Sequence, residues 1–125
     1  MNEIFKHDSA IIEEDVSIGN GTKIWVNAQI RKGAQIGENC IISKDTFIDA
    51  GVIIGDNCKI QNGVSIYHGV IVEDLVFIGP NAAFTNDMYP RAFSQDWEVT
   101  PTLIKKGASI GANATIVCGV TLGEF

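Results

Sequence analysis

Proline, histidine, cysteine and positive charge are all scarce in this sequence, and each shortage excludes something. None of the three prolines among its 125 residues precedes Pro80. With two histidines and three cysteines, no Cys/His spacing resembles a zinc site. Nine Lys and Arg against fifteen Asp and Glu leave a net charge of −6, which argues against a duplex-binding module, since phosphate neutralisation needs a basic face. A phosphorylated small ligand is not excluded, because a few well-placed donors can hold one against the overall field. No apolar run approaches the roughly 18 residues of a membrane span, and no basic segment followed by an apolar core opens the chain. Neither a membrane partner nor a nucleic-acid partner is expected, and the expected location is the cytoplasm. The length leaves room for one domain.

Glycine is abundant instead, with thirteen residues scattered along the chain. Their spacing exposes a repeat of six. Every sixth residue from Ile12 is apolar: Ile12, Ile18, Ile24, Ile30, Ile36, Ile42, Ile48, Ile54, Ile60, Ile66, Val72, Ile78 and Phe84. At this apolar content such a column arises by chance roughly four times in a hundred thousand. The phase returns at Ile104, Ile110, Ile116 and Leu122. Two residues before each sits a smaller or β-branched side chain, such as Thr22, Ala28, Cys40, Val52 or Val64, and strand alternation points both positions inward. Three residues before the large aliphatic come Asp15, Gly21, Asn27, Gly33, Asn39, Asp45, Gly51, Asn57, Gly63, Gly69, Asn81, Gly107, Asn113 and Gly119. These residue types tolerate positive φ and turn the chain. Leu75 is the exception.

A turn plus short strand repeated every six residues cannot bury its apolar face alone, and stacking closes it. The pattern predicts an all-β fold, a parallel β-helix of hexapeptide repeats with three hexads to an 18-residue coil. Gly19, Gly37 and Gly55, spaced by 18, support that count. Outward positions carry Ile41, Phe47, Ile53, Ile71 and Phe77, apolar groups that suggest a self-association surface. Cys40 and Cys58 stack inward one coil apart as structural thiols, and Cys118 falls on a turn.

Between Phe84 and Ile104 the repeat stops. The expected organisation is a single domain over 1–125, with repeats over 12–84, an inserted loop over 85–103, and repeats again over 104–125. Long loops in compact domains are usually functional. Phasing by 18 places Tyr67 and His68, Asp49 and Ala50, and Arg31 and Lys32 on successive coils beneath this loop, at one polar corner. The loop itself offers Asn86, Asp87, Tyr89 and Arg91: an amide, a carboxylate, a phenol and a guanidinium within six residues. Arg forks onto phosphate or carboxylate, while Asn and Asp bind hydroxyls or an amine. Equally, Asn86 and Asp87 form an Asx turn before Pro90, with Arg91 pairing locally.

The segment FTNDMYPRA (Phe84 to Ala92), followed by GASIGANATIVCGVTLG (Gly107 to Gly123), resembles the hexapeptide-repeat N-acetyltransferases that act on nucleotide-linked 3-amino sugars for bacterial surface polysaccharides. The similarity extends through IWVNAQIRKGAQIG (Ile24 to Gly37) and KIQNGVSIY (Lys59 to Tyr67). The resemblance implies a left-handed β-helix and a homotrimer, with acetyl-CoA between neighbouring subunits and a UDP- or dTDP-linked amino sugar at the loop. Asn86 matches the family's substrate-contacting Asn at this motif; catalytic roles are expected for Asn86 and Asp87, and His68 is the only base candidate inside the repeat, an exposed turn histidine being the alternative. Substrate contacts are expected from Tyr67, Tyr89, Arg91 and Arg31, coenzyme contacts from Gly111, Ala112 and Lys105, and no metal. The chain stops in mid-hexad at Phe125, where such relatives continue, so a C-terminally truncated chain is expected.

Acyl transfer to an amine needs alignment and oxyanion stabilisation more than a strong base. A sugar O-acetyltransferase is the enzymatic alternative, and it requires a base to activate a poorer nucleophile. A non-catalytic nucleotide-sugar-binding or assembly remnant is the other. A β-helical carbonic anhydrase would require three zinc-binding histidines, which two cannot supply.

Overall fold

The computed structural model describes residues 3–85, 92 and 100–125. Among them eighteen short strands form three parallel six-stranded sheets. The first wall stacks Phe5–Lys6, Lys23–Ile24, Ile41–Ile42, Lys59–Ile60, Phe77–Ile78 and Ser109–Ile110; the second stacks Ile11–Ile12, Gln29–Ile30, Phe47–Ile48, Ser65–Ile66, Ala83–Phe84 and Thr115–Ile116. Ser17–Ile18, Gln35–Ile36, Ile53–Ile54, Val70–Val72, Thr102–Ile104 and Thr121–Leu122 make the third. The chain visits the walls in that order on every coil, which makes a parallel β-helix of about six coils with the architecture expected for the left-handed form. Pairing begins at Phe5–Lys6, one hexad before the apolar column starts at Ile12.

The register states the repeat directly. Lys23 pairs with Ile41, Ile41 with Lys59 and Lys59 with Phe77, each 18 residues on. Above the interruption Ile71 pairs with Leu103, Phe77 with Ser109 and Ala83 with Thr115, each 32 residues on. The difference is fourteen residues, all added at the corner between the second and third walls. Thr85 still donates its N–H to Ile116 O at 2.9 Å, and Thr102 donates to Gly69 O at 3.0 Å. The excursion therefore leaves and rejoins one corner without removing a wall from the coil.

While Ile12, Ile116 and Leu122 at its ends are partly buried, the middle of the expected column is fully enclosed inside the prism, with Ile24, Ile30, Ile42, Ile48, Ile60, Ile66 and Ile78 having no exposed surface. Each contributes about 1.5–3 kcal/mol on burial, yet only when neighbouring coils supply the floor and ceiling. Thr22, Thr46 and Thr102 take places in the smaller inward column without stranding a hydroxyl, and Thr102 Oγ1 accepts the Gly119 N–H at 3.3 Å. Thr22 Oγ1 donates to Gly37 O at 2.8 Å and accepts the Cys40 N–H at 3.0 Å, and Thr46 Oγ1 donates to Ser43 O at 2.7 Å.

At the corners all fourteen of the expected Gly, Asn and Asp positions have positive φ. Leu75, which breaks the residue pattern, does not break the backbone pattern: its φ is 61°. A branched residue there carries strain of about 1–2 kcal/mol, and its side chain, 47% exposed, gains little from burial. Gly19 has a different reason for being glycine, since a Cβ there would meet Glu38 N and Gly37 C of the next coil at 2.6 Å.

Both positions can be tested by stability. Leu75→Asn is expected to raise the denaturation free energy by about 1 kcal/mol, by relief of left-handed strain. Gly19→Ala is expected to lower it by about 1–3 kcal/mol, because two coils must separate to admit the methyl group. Urea unfolding of the two variants beside the unmodified protein reads both.

Candidate active site

The second-to-third-wall corner, where the excursion leaves the helix, is built coil by coil from the residues just after each second-wall strand. Glu13, Arg31, Asp49, Tyr67 and Thr85 recur at intervals of 18 along its edge, and Glu14, Lys32, Ala50 and His68 occupy the next position. Neighbouring coils are about 4.8 Å apart, within the reach of a carboxylate.

Asp49 organises this column. Its Oδ1 accepts the Ala50 N–H at 2.8 Å and faces Arg31 Nη1 at 3.4 Å, while Oδ2 accepts the His68 N–H from the coil above at 3.1 Å. Arg31 also reaches Glu13, with Nε 3.6 Å from Oε1. The Arg31 side chain is 41% exposed, so these ion pairs contribute order more than stability. His68 is tied at a second point: its Nδ1 lies 2.6 Å from Ala50 O. Since a carbonyl only accepts, Nδ1 carries the proton. A Cβ on Gly51, which has a φ of +72°, would stand 3.2 Å from the imidazole, so the ring lies against that glycine. Beside it Tyr67 is 38% exposed, with its ring 5.7 Å from Phe47.

Of the residues expected to act, the structure brings Arg31, Tyr67 and His68 to this single corner. Asn86, Asp87, Tyr89 and Arg91 lie outside the described residues. The three expected coenzyme contacts are elsewhere: Gly111 and Ala112 on the first-to-second-wall corner, Lys105 on the third-to-first-wall corner. Within one chain, each corner is separated from the next by a wall of six residues, up to about 20 Å.

Two further features had weak signals in the sequence. Trp25, 41% exposed, follows an inward aliphatic and so sits on a corner; its ring is 4.9 Å from that of Phe5, and it lines a depression of about 310 Å³ with Val26, Ser43, Lys44 and Asn62. A second depression of about 360 Å³ lies between Ile53, Ile71, Glu73, Asp74 and Lys106, adjoining Lys105. Among the described residues no cluster of His, Cys, Asp and Glu is placed to hold a metal ion. No helix among them is long and apolar enough to cross a membrane.

The thiols of Cys40 and Cys58 play no part in this geometry. Cys40 Sγ donates to Gly55 O and Cys58 Sγ to Glu73 O, each at 3.1 Å, and neither residue has exposed surface. Contact with Cys40 and then burial push the Cys58 thiol far above its ordinary range. Cys118 is buried at the loop's corner, where its N–H donates to Thr85 Oγ1 at 3.0 Å.

Residues 15–50 and 51–86 match the model of the bacterial transferase hexapeptide (six repeats). The chain belongs to the bacterial transferase hexapeptide family. Residues 33–68 and 101–124 also match the hexapeptide repeat of succinyl-transferase. A relative from Aneurinibacillus thermoaerophilus, dTDP-3-amino-3,6-dideoxy-alpha-D-galactopyranose 3-N-acetyltransferase, is 48% identical over 121 residues. That alignment takes in 97% of this chain and 62% of the relative, so the chain spans less than two thirds of that protein's length. Among solved structures, the acetyltransferase domain of PglB from Neisseria gonorrhoeae FA1090 superposes with a TM-score of 0.78 at 20% identity, over 94% of this chain and 53% of that one. The same domain in complex with acetyl coenzyme A gives 0.73 at 18% identity, with the same coverage of both chains. These two superpositions establish the shared fold. The resemblance read from FTNDMYPRA is met by a relative bearing a 3-N-acetyltransferase name.

Thiol chemistry offers a direct check on the buried pair. Because Cys58 is held protonated, its alkylation by iodoacetamide in the folded protein is expected to stay negligible from pH 7 to pH 9, whereas an ordinary thiol reacts faster with each unit of pH until it ionises. Peptide mapping after urea unfolding should then show both Cys40 and Cys58 fully labelled.

Proposed function

We propose that the protein is an acetyl-CoA-dependent N-acetyltransferase that acetylates the 3-amino group of a nucleotide-linked amino sugar in bacterial surface polysaccharide biosynthesis. One observation carries the reading. The FTND-x-x-PRA segment lies in an excursion rooted on a polar, titratable corner, in a chain 48% identical to a sugar 3-N-acetyltransferase. That relative's name favours a dTDP carrier over a UDP carrier. The acetyl-CoA bound to the structurally similar PglB domain supports the choice of donor.

The reaction asks for positioning. The neutral amine attacks the thioester carbon, a C–N bond forms, the C–S bond breaks, and the departing thiolate takes a proton. Asp87 is assigned to align the amine and Asn86 to donate to the oxyanion, with His68 as proton acceptor. Tyr67, Tyr89 and Arg91 contact the nucleotide sugar in this reading, and Arg31 braces the corner from below. Gly111, Ala112 and Lys105 are assigned to the coenzyme.

The distribution of these residues over three corners favours a site shared between subunits of a homotrimer, in which the loop of one copy faces another corner of its neighbour. The walls support the same reading. Ile53 and Ile71 pair in register on the third wall, 38% and 42% exposed, and Leu103 continues the stripe. A protein of this kind draws on cytoplasmic acetyl-CoA and nucleotide sugars, so the cytoplasm is the proposed location.

The decisive assay is release of free thiol from acetyl-CoA with dTDP- and UDP-linked 3-amino sugars, with mass spectrometry of the product. A mass increase from one acetyl group on the 3-amino sugar, and none on its 3-hydroxy counterpart, is expected. Transfer to the hydroxyl instead would establish the O-acetyl alternative. Asn86→Ala should lower kcat by roughly 10²-fold or more, the scale for losing one oxyanion donor. Separately, Ile71→Arg should shift the light-scattering mass from trimer towards monomer; an unchanged mass would exclude the third wall from the subunit contact.

A further inference from the structure

Polar side chains on two edges of the prism close one coil onto the next, as Asp49 does beside the excursion and Asp56 and Asp74 do on the third-to-first-wall corner. The first-to-second-wall corner closes through its backbone instead. There the Val26, Lys44 and Asn62 carbonyls accept the Asp45, Gly63 and Asn81 N–H groups at 3.0, 3.0 and 2.8 Å. The side chains of Ser43, Lys44 and Asn62 have no hydrogen-bond or ion-pair partner among the described residues. All three line the depression of about 310 Å³ beside Trp25 and Val26. The charge on this side also runs against that of the whole chain. Lys23 and Lys59 stand outward on the first wall, each in register with Ile41 between them, and strand alternation turns Lys23 to the same side as Trp25. Asp8 and Asp45 are the acids of this corner, whereas Glu38, Asp56, Glu73 and Asp74 are gathered on the third-to-first-wall corner.

An exposed indole with an apolar flank, a cation, an amide and a hydroxyl suit one kind of ligand: a base that stacks, phosphates that need a positive partner, and polar edges that take hydrogen bonds. Their heights are ordered in the same way. Trp25, Lys44 and Asn62 occupy successive coils, and the excursion leaves the coil above Asn62, about 14 Å above Trp25. We propose that this depression seats a nucleoside diphosphate, with the base on the Trp25 indole beside Val26, the phosphates against Lys44, and Ser43 and Asn62 on the polar edges. The seat follows from the corner itself; its service to the excursion rests on the acetyl-transfer reading above, with the loop supplied by a neighbouring copy, because seat and loop lie on different corners of one chain. A nucleoside diphosphate is common to a nucleotide sugar and to coenzyme A, and either one extends from base through phosphates to its reacting end.

Calorimetric titration of the whole protein with dTDP, with UDP and with coenzyme A tests the seat. Saturable binding is expected, weakened about tenfold or more by Trp25→Leu and by Lys44→Glu, the scale for losing a base stack or a charged hydrogen bond. Lys44 is exposed, so its replacement leaves the core untouched and decides the matter even if Trp25→Leu unfolds. Lys106→Glu, the same charge change at the other depression, is expected to leave dTDP binding unaltered. No saturable binding of any of the three ligands overturns the proposal, and so does an unchanged affinity in Lys44→Glu. An equal loss in Lys106→Glu also overturns it, since diffuse charge attraction would then account for both. The same titrations read the source of the nucleotide. Coenzyme A that keeps its affinity in both corner variants, while dTDP loses it, assigns the seat to the sugar carrier. Coenzyme A that displaces dTDP and weakens in step with it assigns the seat to the coenzyme, and either result upholds the seat. Turnover with nucleotide affinity indifferent to both variants overturns the seat alone. Corner-dependent nucleotide binding without turnover overturns acetyl transfer and leaves the seat standing.

Discussion

From Asp15 to Asn81, and again from Gly107 to Gly119, every sixth residue enters a left-handed conformation, which costs an ordinary L-residue about 1–2 kcal/mol. Nearly every other feature depends on that corner. It limits each strand to two or three residues and returns the chain above itself after three hexads. Each N–H of one coil is thereby aligned with a carbonyl of the next, as in Lys23 with Cys40 O and Trp25 with Ile42 O, both at 2.9 Å. Gly, Asn and Asp reduce the cost of turning, and the buried isoleucine column offsets what remains. Because corner and column share one period, neither can drift without the other, which is why Leu75 adopts the corner conformation against its own preference.

Such a backbone was open to inspection in the sequence because each requirement falls on a different residue class. Positive φ selects Gly, Asn and Asp, inward burial selects Ile and Val, and the two patterns are locked three residues apart. Legibility failed where a residue satisfies the geometry without belonging to the class. Lys6 stands where the inward aliphatic of the first hexad would be, so the Phe5–Lys6 strand left no mark in the apolar column. The position of Cys118 on a turn was readable, but its burial was not, since burial at a corner depends on what surrounds it.

The candidate site was legible to a coarser degree. Phasing by 18 placed Arg31, Asp49 and His68 on one edge, and the loop above them was visible as a gap in the repeat. Spacing could not show that Arg31 lies between Glu13 and Asp49, or that His68 points Nδ1 at a carbonyl. Those are matters of side-chain direction at fixed backbone positions, and a period carries no such information. The separation of Lys105 from Gly111 and Ala112, by contrast, was implicit in the period. A difference of six residues changes the corner, whereas a difference of eighteen only changes the height.

A parallel β-helix is therefore a ruler, with steps of about 4.8 Å along each edge. One short polar side chain spans one step, and the chain uses this repeatedly. Ser9 Oγ accepts the Asn27 N–H at 2.8 Å, Asp56 Oδ1 accepts the Glu38 N–H at 2.8 Å, and Asp74 Oδ1 accepts the Asp56 N–H at 2.7 Å. These links do no more than close an edge. At the excursion's corner the same link, from Asp49, ends on His68. The step above it is where fourteen residues enter without disturbing the register. What sets this corner apart from the other edges is that it received a histidine and an insertion on adjacent coils. The helix supplies the rigidity that a site carried on a loop would otherwise lack.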